Sequence, residues 1–384
     1  MTEEDTTGEW TSLANAMVES IKHAGYLHST SLELAFRETP RHLFVPEFFR
    51  LKKDEEGFTT VDGVVDEADP AWLPTIYTNE VLITQVKPIA GHPGATAFTS
   101  SSSAPALMAD MIEELRIDRG MNVLEVGTGT GYNAAILCHL LGDRAVTTIE
   151  IDPDLTEQAR ERLETLGYQP SFEPADDSYD RILATHAVAE VPPEWIRWGK
   201  PGGVILTDLR APANSNVGAW LKLIIDRDGT TATGTLMDPR GYFMNARKVP
   251  EFAYAGETAP DLTEEEHRHR ATQTQQRRTA LPTAVLDAPD FALYLWCSAP
   301  GMTFARTLDD SASLNGPRAE SWAYVADGYV YYGGAEDLWA VVEQAYRVWD
   351  WCSRPPKEAW TLKVSSQGHT SVHLPGEDDG ALPV

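Results

Sequence analysis

Between residues 104 and 210 the chain alternates apolar runs with helical periods, and this stretch sets the fold class. From Ala104, residues Leu107, Met108, Met111, Ile112 and Leu115 share one helical face, while Asp110, Glu113 and Glu114 share the other. Gly120 closes that unit. "MNVLEVG" reads as a continuous apolar strand, "YNAAILCHLL" as a helix ending at Gly142, and "AVTTIE" as a second strand. Asp152 is placed to cap the next helix, with Pro153 at its first position and Gly167 at its end. "YDRILATH" and "GGVILTDL" are two further strands. Strands and helices in this succession predict right-handed crossovers and a parallel, doubly wound α/β sheet.

The flanks read differently. "WTSLANAMVESIKHAGYL" has helical spacing and stops at Gly25. "SLELAFRETPRHLFVPEFF" predicts a short helix broken by Pro40 and then an extended piece. Residues 52–70 are polar and acidic and read as a loop, whereas "EVLITQV" has strand composition. Beyond residue 211, "AWLKLIIDRDGTTATGTLM" suggests a hairpin, and residues 256–282 a polar linker or exposed helix. "DFALYLWCSA" and "SWAYVADGYVYYGG" are strand-like and aromatic, "AEDLWAVVEQAYRVWDWC" is helical, and "AWTLKVSSQGHTSVHLP" is a strand pair. The terminal "GEDDGALPV" is expected to fray. The expected organisation is an N-terminal helical lead (1–98), a central α/β domain (99–250), a linker (251–282) and a smaller C-terminal α+β domain (283–384).

Composition narrows the class. The 384 residues are 42% hydrophobic and 23% charged, an ordinary globular balance. A net charge of −27 without a basic cluster makes nucleic acid an unexpected partner. The longest apolar runs fall short of a membrane span, and "MTEEDTTGEW" lacks the basic start of a signal peptide, so a cytoplasmic protein is expected. Cys138, Cys297 and Cys352 lie far apart, form no metal-type pair and read as reduced thiols.

The strongest chemical signal is "VLEVGTGTGY". Gly127, Gly129 and Gly131 sit where the first strand turns into a helix, so the backbone can approach a ligand there. The spacing is GxGxG, and Tyr132 occupies the place of the third glycine of a dinucleotide fingerprint. Glu150 ends the second strand about twenty residues on, where a carboxylate accepts ribose hydroxyls. With Glu125 before the turn, these residues point to a nucleoside ligand.

This constellation resembles the class I S-adenosylmethionine-dependent methyltransferases, with their Rossmann-like sheet. "SSSAPALM", "GMNVLEVGTGTGYNAAIL" and "LETLGY" narrow the resemblance to the protein-L-isoaspartate O-methyltransferases. "RHLFVPE" and "GYFMNAR" are similar to weaker features of that family, and the likeness spans roughly residues 12–248. It implies S-adenosylmethionine as cofactor, held by Glu125, Gly127, Thr128, Gly129, Gly131, Glu150 and Ile151. The family's Thr-Ile-Ser-Ala-Pro-His-Met motif, laid on this sequence, starts at Ser101 and puts its functional serine on Ser103. Ser101 and Ser103 are thereby implied to hold the acceptor carboxylate, with Ser103 also at the helix entrance as a cap. Ser100 and Ser102 read as loop, with Ser102 kept beside His186 as a weaker substrate-binding candidate.

Two departures stand out. The family's histidine falls on Ala106, and its Gly-Asp-Gly adenine segment is replaced by "QPSFEPADDS", where Asp176 and Asp177 are substitutes or merely solvated carboxylates. The serine-rich run and the aromatic C-terminal region resemble actinobacterial enzymes that tailor ribosomally made peptides. That resemblance implies esterification of an Asp side chain in a cyclised precursor peptide, with collapse to aspartimide and possibly isoaspartate. The chemistry asks little of the protein: a carboxylate with a pKa near ~4 is ionised and needs no base, only alignment with the sulfonium methyl.

The remaining candidates have bland readings. His186 follows the fourth strand, where a substrate contact competes with a structural role. His267 and His269 lack ligand-spaced partners, so no metal is expected and a solvated face is the default. Trp339, Tyr346 and Trp349 read as core rather than a docking face, and Tyr132 is open to packing or ligand contact. Three other functions compete with the peptide-tailoring reading: isoaspartate repair, non-catalytic peptide binding and, weakly, nicotinamide oxidoreduction.

Overall fold

All four strands expected between residues 121 and 210 lie side by side in one mixed sheet. The structure, a computed structural model, describes residues 3–376 except 56, 90, 213–215, 239–240, 248–265, 268–269, 271–274, 308 and 318–319. The N-terminal layer comprises α1 (Glu3–His23), α2 (Thr30–Glu38), β1 (Glu47–Lys53), β2 (Thr59–Asp66), α3 (Trp72–Ile76), β3 (Leu82–Pro88) and β4 (Thr96–Ser102). The central unit follows as α4 (Pro105–Glu114), β5 (Val123–Val126), α5 (Tyr132–Leu141), β6 (Val146–Ile149), α6 (Pro153–Thr165), β7 (Tyr179–Val188), α7 (Pro193–Trp198), β8 (Gly199–Arg210), β9 (Gly218–Ile225) and β10 (Thr231–Met237). The C-terminal elements are β11 (Gln275–Arg278), α8 (Pro289–Ser298), β12 (Thr303–Arg306), β13 (Ala312–Asn315), β14 (Trp322–Ala326), β15 (Tyr329–Gly333), α9 (Leu338–Trp351), β16 (Thr361–Ser365) and β17 (Thr370–His373).

The main sheet has the order β17-β16-β10-β9-β8-β7-β5-β6. β6, β5, β7 and β8 are parallel, and the strands from β9 outward are antiparallel. The third strand of the winding is reduced to one bridge between Thr147 and Ser171, which matches the shortened segment seen in the sequence. Alternating residues supply the two cores. Val123, Leu183 and Leu206 face the N-terminal helices with α4 and α5, while Leu124, Ile182 and Ile205 face α7, α8, α9 and the five-stranded sheet β11-β15-β14-β13-β12. The two ends of the chain thus cover opposite faces of one sheet. Trp339 and Trp360 are completely buried in the second core. Each side chain of that kind contributes about 2–3 kcal/mol on burial.

Several expectations are corrected. Residues 52–70 are not a loop: β1 and β2 form an antiparallel hairpin from Glu47 to Asp66. "DFALYLWCSA" is helix α8, with Pro289 in its first turn and Phe291 to Trp296 all buried. A helix that is apolar on every side shows no period to separate it from a strand. Gln275–Arg278, placed in the linker, pair with β15. The C-terminal region is not a separate body, because β16 pairs with β10 and extends the main sheet. His267 is buried against the carbonyl of Leu314 instead of lying on a solvated face. His269, most of the linker and the expected frayed end from residue 377 lie outside the described residues. No described helix is long and apolar enough to cross a membrane, and no described cluster could hold a metal ion.

Candidate active site

A cavity of about 590 Å³ opens at the carboxyl ends of β5, β6, β7 and β8, where ligands bind in doubly wound sheets. Its floor is the glycine turn. Gly127, Gly129 and Gly131 all have positive φ, which a side chain disfavours. A Cβ on Gly127 would stand 2.6 Å from Thr185 Oγ1, and one on Gly131 would meet Ala159 of α6 at 3.1 Å. Gly127, Thr128 and Gly129 line the cavity, whereas Gly131 starts α5 and serves helix packing. Thr128 is buried, with its hydroxyl 2.7 Å from that of Thr148.

Two carboxylates flank the turn. Glu125 is completely buried and accepts hydrogen bonds from Asn133 Nδ2 (2.7 Å) and Thr148 Oγ1 (2.6 Å). Burial pushes its carboxyl up to about 7, against the pull of those two donors. Glu150, at the end of β6, accepts from the backbone N–H of Gly129 (2.9 Å), Ile151 (2.9 Å) and Asp152 (3.2 Å). Ile151 is exposed and lines the mouth. Asp152 caps α6 as expected, accepting from Asp154 N–H at 3.1 Å.

The serine run forms the roof. It is strand, not loop: β4 pairs with β3 through two register shifts, so Ile83 faces Ser101 and Leu82 faces Ser102. Ser100 and Ser102 are buried; Ser101 and Ser103 are half-buried, and all four line the cavity. Ser102 Oγ accepts from Arg41 Nε (3.2 Å) and Nη2 (3.1 Å), which ties this serine to the protein. Ser103 does not cap α4. Ala104 holds the cap position without a side-chain bond, and the Ala106 N–H is taken by Asn79 Oδ1 at 2.8 Å.

At the inner rim, Asp208 and Arg210 form a buried ion pair of 2.8 Å, with the guanidinium 4.2 Å from the centre of the Tyr242 ring. Burial pushes Asp208 up despite Arg210. Arg247 reaches over from the segment bridged to β7 and stands 4.0 Å from Glu150 and 3.6 Å from Asp152. His186 lines the cavity beside Gly127, and burial lowers its pKa, so it is neutral near pH 7. Asp176 and Asp177 do not line it: Asp177 N–H bonds the Arg197 carbonyl, at the other end of β7. They are solvated carboxylates and do not replace the adenine-binding Asp. Tyr132 packs against Phe36 and Phe44 and also lines the cavity.

Sequence reading missed Arg41, Asn79, Asn133, Arg210 and Arg247. Asn133 had a local signal, two residues past the glycine turn; the others arrive from distant segments.

Two features suit a cationic nucleoside. Glu125 is a buried carboxylate whose hydrogen-bond partners are neutral, which favours an added cation. Asn133 Oδ1, His186 Nδ1, Asn245 Oδ1 and Tyr132 OH are buried on cavity-lining residues without a hydrogen-bond partner among the described residues, a state that a polar ligand relieves.

Comparison with known proteins follows this geometry. The family model "Protein-L-isoaspartate(D-aspartate) O-methyltransferase (PCMT)" matches residues 74–222. The protein-L-isoaspartate O-methyltransferase of Ignicoccus hospitalis is 31% identical over 201 residues, covering 50% of this chain and 78% of its own. The chain belongs to this family. Protein-L-isoaspartate O-methyltransferase 2 of a Polaromonas species is 38% identical over 174 residues, covering 43% of this chain and 75% of its own. A solved structure titled protein-L-isoaspartate O-methyltransferase superposes with a TM-score of 0.53 at 19% identity, covering 94% of this chain and 99% of its own. The chain is an S-adenosylmethionine-dependent carboxyl O-methyltransferase, with a Rossmann-like class I fold and a C-terminal addition.

In this family S-adenosylmethionine supplies a sulfonium methyl group. Glu125, held in place by Asn133 and Thr148, would offer its carboxylate to a cationic group in the cavity. Glu150, fixed by three backbone N–H groups, keeps lone pairs for hydroxyls. The glycines keep the turn free of side chains, and the serine strand closes the cavity from above.

Proposed function

We propose that this family member methylates an isoaspartyl carboxylate in a polypeptide, with Ser101 and Ser103 holding one carboxylate oxygen while the other attacks. The observation that carries the reading is the pair of half-buried, cavity-lining serines at the end of β4 and just past it, where the Ser101 carbonyl oxygen would sit 3.5 Å from a Cβ on Gly129. The acceptor is an anion at neutral pH, so the absence of an assigned general base is compatible with the chemistry. Alignment and exclusion of water are what the site must provide. The C-terminal region does not count against this reading, since a solved protein of that name matches 94% of the chain.

A second reading has one observation in its favour. Ala106 stands at the position of the family's histidine, buried behind the serines. The loss of that histidine fits esterification of an ordinary Asp in a constrained ribosomal peptide, with loss of methanol to an aspartimide. One experiment separates the two. Matched short peptides carrying isoaspartate or aspartate, and a cyclised precursor peptide, are incubated with protein and labelled S-adenosylmethionine. Label entering the isoaspartyl peptide alone, or leaving it as labelled methanol, supports repair; label entering the constrained Asp alone, or released from it as labelled methanol with a loss of about 18 Da from that peptide, supports tailoring. Neither labelled ester nor labelled methanol from any of them defeats both readings.

A further inference from the structure

Arg41 sits in a short turn between α2 and β1, 61 residues before Ser102, and is completely buried. Its guanidinium donates to the carbonyls of Ile76 (2.7 Å), Thr78 (3.0 Å), Glu80 (3.1 Å), Ser102 (3.3 Å) and Ser103 (3.1 Å), and to Ser102 Oγ. Every one of these acceptors is neutral. The charge-sensitive neighbours that act on it are the phenols of Tyr77 and Tyr132, and its carbon lies 5.7 Å from the centre of the Tyr132 ring. Burial lowers its pKa to about 10, which still leaves it protonated near neutral pH.

Taking a guanidinium out of water without a carboxylate beside it is costly. Neutral donors would tie these segments together at a lower desolvation cost. The charge therefore has a use beyond tethering. Arg41 grips the Ser102 side chain and the two carbonyls that bracket the serine-to-helix junction, so it sets the direction in which Ser101 and Ser103 present their hydroxyls. Arg41 stands behind Ser102 and Ser103, which line the cavity, so its field reaches the cavity through a low-dielectric wall.

We propose that Arg41 is a positioning residue that aims Ser101 and Ser103, and whose unmatched buried charge makes the cavity select an anionic acceptor over its neutral counterpart. This rests on the reading that Ser101 and Ser103 hold the acceptor carboxylate. It has a consequence for turnover: methylation removes the acceptor's charge, so the ester is held less tightly than the acid and leaves.

The test compares two short peptides with S-adenosylhomocysteine in place, one isoaspartyl and one carrying the isosteric isoasparaginyl amide. In the unmodified protein the acid is expected to bind about tenfold tighter than the amide. Arg41→Gln should bring that ratio close to one while S-adenosylhomocysteine affinity is kept. Arg41→Lys should keep the ratio but lower kcat about fivefold or more, because a lysine supplies charge without the planar fork. An unchanged acid-to-amide ratio in Arg41→Gln overturns the proposal. Where Arg41→Gln yields no folded protein, Arg41→Lys decides: a kept ratio with reduced kcat supports it, and a lost ratio or unchanged kcat overturns it. Ser103→Ala separates the layers. If it abolishes acid binding while Arg41→Gln leaves the ratio intact, the serine reading stands and the role of Arg41 falls.

Discussion

A Cβ on Gly129 would stand 3.5 Å from the carbonyl oxygen of Ser101, in ordinary van der Waals contact. The turn on the cofactor side and the strand on the acceptor side therefore approach each other with no room to spare for larger groups. Gly129→Ala should cost about 1 kcal/mol of stability, because φ is +52° there. It should cost far more in kcat/KM, because the methyl fills the seam. Gly127→Ala should be worse in stability, since its Cβ would meet Thr185 Oγ1 at 2.6 Å. Thermal melts beside initial rates distinguish the two effects.

Ser103→Ala should lower kcat/KM about tenfold to a hundredfold, the worth of one hydrogen bond to a charged group, with S-adenosylmethionine affinity unchanged by calorimetry. Ser102→Ala should behave in the opposite way. Its hydroxyl serves Arg41, so the melting temperature should fall by several degrees, for a loss of about 1–2 kcal/mol. Equal catalytic losses in both variants with no change in melting would contradict the assignment.

Glu125 predicts a pH dependence with a definite sign. Its folded pKa is raised to about 7 from the usual 4.5. In the unliganded protein, stability from this group is therefore lost as pH rises from about 4.5 to about 7, by about 3 kcal/mol, and then levels off. A bound cation reverses the preference. Affinity for S-adenosylmethionine should weaken as pH falls below about 7, with a proton released on binding near pH ~6. Calorimetry in buffers of different ionisation enthalpy measures that proton. Glu125→Gln should raise the melting temperature of the unliganded protein at pH ~8 and weaken cofactor binding about tenfold or more.

Truncation at residue 282 should not leave a soluble catalytic domain. It removes β16 from the edge of β10 and strips Trp339, Trp360, Leu362 and Val364 from the core that covers one sheet face. The expected product is aggregated on size-exclusion chromatography. A monodisperse, active fragment would show that the C-terminal region is dispensable for folding.

What could be read from the sequence was local. The glycine turn, Glu125, Glu150 and the Asp152 cap are each defined by neighbours within a strand, turn or helix start, and the structure brings Gly127, Gly129, Glu125 and Glu150 to one cavity. The serine run was misread because its order comes from elsewhere: β3 turns it into a strand, Arg41 takes Ser102, and Asn79 takes the helix N–H that Ser103 was expected to bond. The hairpin β1–β2 escaped notice because few of its residues are buried, leaving no apolar alternation to see. The join between β10 and β16 was hidden for a similar reason, since the antiparallel edge is completed by a strand from the far end of the chain.

That join also has a cost in time. Thr231–Gly234 of β10 is paired by Leu362–Ser365, so the sheet edge is synthesised long before the strand that covers it. At about 5–20 residues per second, the intervening stretch keeps the edge open for on the order of ten seconds. An open sheet edge is a template for pairing with other chains. A nascent chain of this protein therefore passes through a window in which its catalytic half is complete in sequence but unguarded, and slow translation between β10 and β16 lengthens that window.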